Sequence, residues 1–94
     1  MGFNELQRQV ARYDKGFGWV GDKPEETLLH MQEELGEIAR EMLKRGGYKK
    51  GGYDPQRMND EITDLLYLTL KLGNLLELDL DVAWAKIAER YKGK

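Results

Sequence analysis

The chain has 94 residues, with 15 lysines and arginines against 17 aspartates and glutamates and a formal net charge of −2. That length suits one domain over residues 1–94, and the near-balance of charge argues against nucleic-acid binding through bulk electrostatics. There is no cysteine, no apolar run of about 18 residues and no leader-like start, so thiol chemistry is excluded and a cytoplasmic protein with no membrane partner is expected.

The periodicity predicts helices almost throughout. Residues 4–15 place Leu6, Val10 and Tyr13 on one stripe, as an amphipathic helix requires. Gly16, Gly18 and Gly21 interrupt it, leaving Phe17, Trp19 and Val20 in a loop. Asp22-Lys23-Pro24 followed by Glu25-Glu26 reads as the start of a second helix, with Asp22 near the cap. That helix is expected to reach Arg45, stopped by Gly46-Gly47, with Leu28, Met31, Leu35, Ile38, Ala39 and Met42 inward. At about 100° per residue, His30, Glu34, Glu37 and Glu41 then fall on a flank of that stripe.

After the loop GGYKKGGYDP, in which Lys49 and Lys50 read as solvated, Asp54-Pro55 opens a third helix expected to end near Glu77. Below Asp64 it is apolar nearly all round, from Leu65 to Leu76, so it is either central or covered by a second subunit. Asp79 is placed to cap a fourth helix whose Val82, Ala83, Ile87 and Tyr91 point inward. Trp84 reads as core or subunit contact. The fold class is all-α, and no strand pattern is evident.

Two acidic pairs carry the chemistry: Glu34-x-x-Glu37 in HMQEELGEIAREM and Glu61-x-x-Asp64 in NDEITDLLYLTLKL. Each spacing sets two carboxylates about one turn apart on one helix face. Either pair alone is an ordinary solvated face. Two pairs bordering apolar stripes on successive helices would repel one another unless a cation stood among them, and magnesium is the hard, oxygen-seeking choice, with manganese as a substitute. Asp64 is crowded by Ile62, Leu65, Leu66 and Leu68, and a buried carboxylate there needs a cation or a basic partner such as Lys71. Trp19, Phe17 and Tyr13 could stack on a base or merely close the core. His30 could reach a phosphate or pair with Glu26 or Glu34. A di-iron bundle is excluded, since one histidine cannot supply two Glu-x-x-His motifs, and GGYKKGG is no Walker-A loop.

The string EELGEIAREM followed by EITDLLYLTLKLGNLLELDLDVAWAKIAERY resembles the MazG-type nucleotide pyrophosphohydrolases of the all-α NTP pyrophosphatase superfamily. The resemblance covers most of the chain. It implies an antiparallel four-helix bundle, and the leucine-rich third helix, with more apolar surface than a monomer of this length covers, leads us to expect its completion by dimerisation, as a homodimer or homotetramer. It also implies magnesium-dependent cleavage of a nucleoside triphosphate to monophosphate and pyrophosphate in nucleotide house-cleaning. Carried across, Glu34, Glu37, Glu61 and Asp64 match metal ligands, and Glu33 matches a position that helps to activate the attacking water. Lys86 and Arg90 match basic phosphate-contact positions, while Trp19, His30 and Lys71 fall on the substrate side. Lys71 and Ala88 stand where asparagines are often seen, which loosens any inference about sugar or base. The competing reading is a non-enzymatic helical module whose acidic face binds a basic partner.

Overall fold

Four helices follow one another, with no strand among the described residues, 2–19 and 21–93 of the computed structural model. They are α1 (Phe3–Gly16), α2 (Pro24–Arg45), α3 (Pro55–Leu75) and α4 (Leu80–Arg90). None is long and apolar enough to cross a membrane. Val20 lies outside the described residues.

Capping chemistry sets most boundaries. Asp54 accepts the Gln56 amide at 3.0 Å, and Pro55 fills the first position of α3, where a missing N–H costs nothing. Asp79 accepts the Val82 amide at 3.0 Å and opens α4. Lys23, rather than Asp22, is the cap of α2; its amide donates to Glu26 at 3.1 Å, leaving Asp22 free for a partner elsewhere. Gly2 brings no capping side chain to α1. Asp81 of α4 does that work from outside, accepting the Phe3 and Asn4 amides at 2.8 and 3.2 Å. This contact joins the two ends of the chain.

The packing is a hairpin of α2 and α3, with α1 laid along α3 and α4 held chiefly against the start of α1. Gln7 stitches this corner: its amide donates to the Leu78 carbonyl at 2.8 Å, and Asn74 donates to the Gln7 carbonyl at 2.9 Å. Gly73 makes the approach possible, since a β-carbon there would meet Leu80 at 3.1 Å and Gln7 at 3.3 Å.

Two packing expectations are corrected. On α2, Leu28, Leu35 and Met42 are exposed, whereas Thr27 and Glu41 are buried and Met31, Glu34 and Ile38 half-buried. The face turned to α3 is therefore centred one row away from the most apolar stripe. Periodicity finds a helix's apolar stripe, but the neighbour decides which stripe is covered. On α4, Val82 and Tyr91 are exposed and no residue is buried, because α4 has little but α1 to lie against. The third helix ends at Leu75, and Glu77 adopts the left-handed turn conformation (φ 56°) that redirects the chain.

Candidate active site

The shift of packing face on α2 carries its acids toward α3. Glu34 is half-buried, and burial together with the negative charges of Asp64, Glu61, Glu37 and Glu33 pushes its carboxyl above the ordinary range. Glu61 is raised in the same way, by burial and by the carboxylates of Glu41 and Glu37, with Arg57 and Lys44 opposing. The two acidic pairs thus face each other across the hairpin.

Glu61 carries a further feature. Its Oε2 is buried and has no hydrogen-bond partner. A carboxylate oxygen withdrawn from water without a partner costs free energy comparable to a lost charge-assisted hydrogen bond. Among the described residues no three acidic or histidine side chains are already drawn into a closed cage. What stands there is two opposed pairs with an orphan oxygen, chemically a set of hard oxygen donors.

Glu41 behaves differently from its neighbours. It is almost fully buried, yet it accepts from Lys44 at 3.1 Å and from the Asp54 amide at 3.3 Å, with Arg57 at 3.9 Å. The Lys44 hydrogen bond holds its carboxyl below the usual range despite burial. Glu41 closes the far end of the hairpin and already has its cations.

Beside the acids lies an open cavity of about 360 Å³. Glu34 and Asp64 form one wall; Trp19, His30, Tyr67 and Lys71 form the rest with Asp22 and Leu68. Lys71 does not pair with Asp64, and Asp64 is exposed rather than buried among the leucines, because it sits on the open side of α3. The buried Lys71 ammonium reaches Asp22 at 2.5 Å, the Trp19 carbonyl at 3.4 Å and Asp14 at 3.7 Å. The Tyr67 hydroxyl donates to Asp14 at 2.6 Å, and burial with that neighbouring carboxylate pushes its pKa up. His30 faces Glu33, at 3.6 Å, and both are exposed. Trp19 stacks on Phe17, centroids 5.0 Å apart, with both rings open to solvent.

Of the residues singled out from sequence, the structure brings Glu34, Glu37, Glu61, Asp64, Trp19, His30 and Lys71 to one side of the hairpin, with Glu33 beside Glu34. Lys86 and Arg90 do not join them. Arg90 lines an apolar groove with Phe3, Leu66, Leu70 and Trp84, on the opposite face of α3 from Asp64 and Lys71. Sequence reading passed over Asp14, Asp22 and Tyr67. Asp14 repeats Gln7 and Val10 at helical spacing, and Tyr67 lies between Asp64 and Lys71 on one face of α3; both signals are present in the sequence.

A family profile for the MazG nucleotide pyrophosphohydrolase domain matches residues 22–94, spanning both acidic pairs. The chain belongs to this MazG family. The uncharacterised Bacillus subtilis (strain 168) protein YpjD is 33% identical over an 89-residue alignment that covers 93% of this chain and 80% of YpjD. A crystal structure of YpjD, there described as a candidate pyrophosphatase, superposes with a TM-score of 0.84 at 31% identity, covering 98% of this chain and 96% of that one. MazG membership supports a hydrolase acting on pyrophosphate bonds, and the YpjD match agrees with the four-helix architecture.

Proposed function

We propose that the chain is a magnesium-dependent, cytoplasmic nucleoside triphosphate pyrophosphohydrolase, releasing a nucleoside monophosphate and pyrophosphate. The observation that carries this reading is the orphan Glu61 Oε2, on a carboxyl that, like Glu34, is held back from ionising first by burial and then by neighbouring carboxylates. Such a group fits a hard divalent cation held by Glu34, Glu37, Glu61 and Asp64. When bound, that cation supplies positive charge against the triphosphate oxygens, which would otherwise repel an incoming water.

The protein's own part is positioning and proton transfer. Glu33 lies beside Glu34 and exposed, free to accept the proton of the attacking water. Water adds to the α-phosphorus, the bond to the bridging oxygen breaks, and pyrophosphate departs with that oxygen. Trp19 offers a flat face for the base, and His30 stands on the phosphate side of the cavity. Lys86 and Arg90 contact phosphate only across an assembly, with α4 of one copy near the acids of another, consistent with a homodimer or homotetramer.

A panel of nucleoside triphosphates and diphosphates assayed with magnesium tests the reading, scoring pyrophosphate against orthophosphate. Pyrophosphate is expected from at least one triphosphate. Loss of a carboxylate that holds the charge-neutralising cation should cost about a hundredfold or more in turnover, as loss of other transition-state charge stabilisers does, so Glu37→Gln and Asp64→Asn should be nearly inactive. Turnover surviving in both variants removes the site; orthophosphate as sole product removes the reaction. Magnesium at ten to a hundred times its dissociation constant should also stabilise the fold by roughly 1.4–2.7 kcal/mol. An acidic module built for a basic partner would not respond in that way.

A further inference from the structure

Lys71 is the least exposed charged residue on the cavity wall, with only 5% of its side chain accessible. Its ammonium hydrogen-bonds to Asp22 and the Trp19 carbonyl, and Asp14 stands at ion-pair distance, 3.7 Å. All three lie on or beside the turn between α1 and α2. Asp14 is in turn held by Tyr67, one turn away from Lys71 on α3, and its own carbonyl accepts the Trp19 amide at 2.7 Å. The aromatic turn is thus fastened to the helix that carries Glu61 and Asp64.

We propose that Lys71 is a positioning residue that pins the Trp19 turn through Asp22, and so sets how tightly nucleotide is held rather than how fast it reacts. The proposal rests on the nucleotide reading for the cavity's occupant. The tether itself is independent of it. Both hydrogen bonds of the Lys71 ammonium go to the turn and none to the acids across the cavity. Asp22 is the most accessible of the partners, with nearly half of its side chain exposed, and Asp22→Asn keeps its size while leaving the Lys71 ammonium with the Asp14 charge alone.

The test uses the full chain with Asp22→Asn, Lys71→Met and the double variant. Hydrogen exchange at the Trp19 amide reports the tether without any need for activity. Exchange there should accelerate by about tenfold in each variant, a difference of about 1.4 kcal/mol in local opening, while the hairpin amides of α2 and α3 stay unchanged. In the hydrolysis assay KM should rise about fivefold to tenfold, of the order of one well-placed aromatic contact, with kcat within about twofold. The double variant should be no worse than Lys71→Met alone, as members of one network are non-additive.

Unchanged exchange in Asp22→Asn overturns the tether. Faster exchange with an unaltered KM overturns its bearing on substrate. A lower KM in Asp22→Asn, meaning that a freed Lys71 binds phosphate, also overturns the proposal. Should no nucleotide be hydrolysed, the function proposed above fails, and the exchange result still decides the tether.

Discussion

At the scale of single residues, the acids divide by what surrounds them. Glu41 is buried but supplied with Lys44, Arg57 and the Asp54 amide. Glu34 and Glu61 are less buried yet supplied with little besides other carboxylates. Linkage then gives the sign of a pH effect. A carboxyl whose folded pKa is raised binds its proton more tightly in the folded state, so stability increases as pH falls from neutrality toward the ordinary glutamate value of 4.5. Below that value the depressed carboxyls of Glu41, Asp22 and Asp79 are protonated in turn and their contribution is lost. The metal-free protein should therefore show its highest melting temperature slightly above pH 4.5. Magnesium, which competes with those protons, should raise the neutral-pH value and flatten the rise. Melting curves across that range with magnesium and with a chelator check this, and identical profiles would count against a cation among the acids.

The residues themselves differ in how far sequence revealed them. Both acidic pairs were legible because their spacing within a helix is fixed by the backbone. Asp22 was not, because the pattern around Pro24 suggests a cap and contains no trace of Lys71, 49 residues further on. A partner that distant is set by how α1 and α3 pack, which no local pattern encodes.

At the scale of elements, starts were more legible than faces. Asp54 and Asp79 cap the helices that their sequence context assigns them, since capping is a contact over two or three residues. The covered face of α2 was not legible: Leu28, Leu35 and Met42 form the more apolar stripe, yet Thr27, Glu34 and Glu41 face α3. α1 is an intermediate case. Its periodicity is plain, but its cap is Asp81, which accepts the Phe3 and Asn4 amides from the other end of the chain. Asp81→Ala removes two charge-assisted hydrogen bonds at the positive end of a helix dipole. It should cost about 1–2 kcal/mol, and lower the melting temperature by roughly 5–15 °C for a domain of this size. Because Asp81 is also part of the contact between α4 and α1, exchange in the first turn of α1 and throughout α4 should quicken together. The α2–α3 hairpin should be untouched.

At the scale of the whole molecule, the single chain is too open for its length. Its radius of gyration is 15.9 Å, against about 12 Å for a compact domain of this many residues. Its accessible surface is 7275 Å², whereas a compact monomer of 10.9 kDa would show about 5,600 Å². The excess, about 1,700 Å² on one chain, is about twice the ~800 Å² that each partner gives up in a standard protein interface, as in the larger obligate assemblies. Part of it lies on the α2–α3 hairpin. Leu28, Leu35 and Met42 on α2 and Ile62 and Leu66 on α3 are all exposed. These apolar side chains are what a second copy would cover, and the hairpin that carries them also carries the acids. Sedimentation at micromolar concentration should therefore find a dimer or tetramer. Leu35→Arg, a charge placed on a stripe the single chain leaves exposed, should dissociate it and lower the melting temperature, since a charge at the centre of an apolar interface costs several kcal/mol. If the hairpin holds its acids in place only when paired, dissociation will take magnesium-dependent stabilisation with it, although residue 35 has no carboxylate to lose. A wild-type chain sedimenting as a stable monomer, with Leu35→Arg melting at the same temperature, would show that the open surface is intrinsic and that one copy is enough.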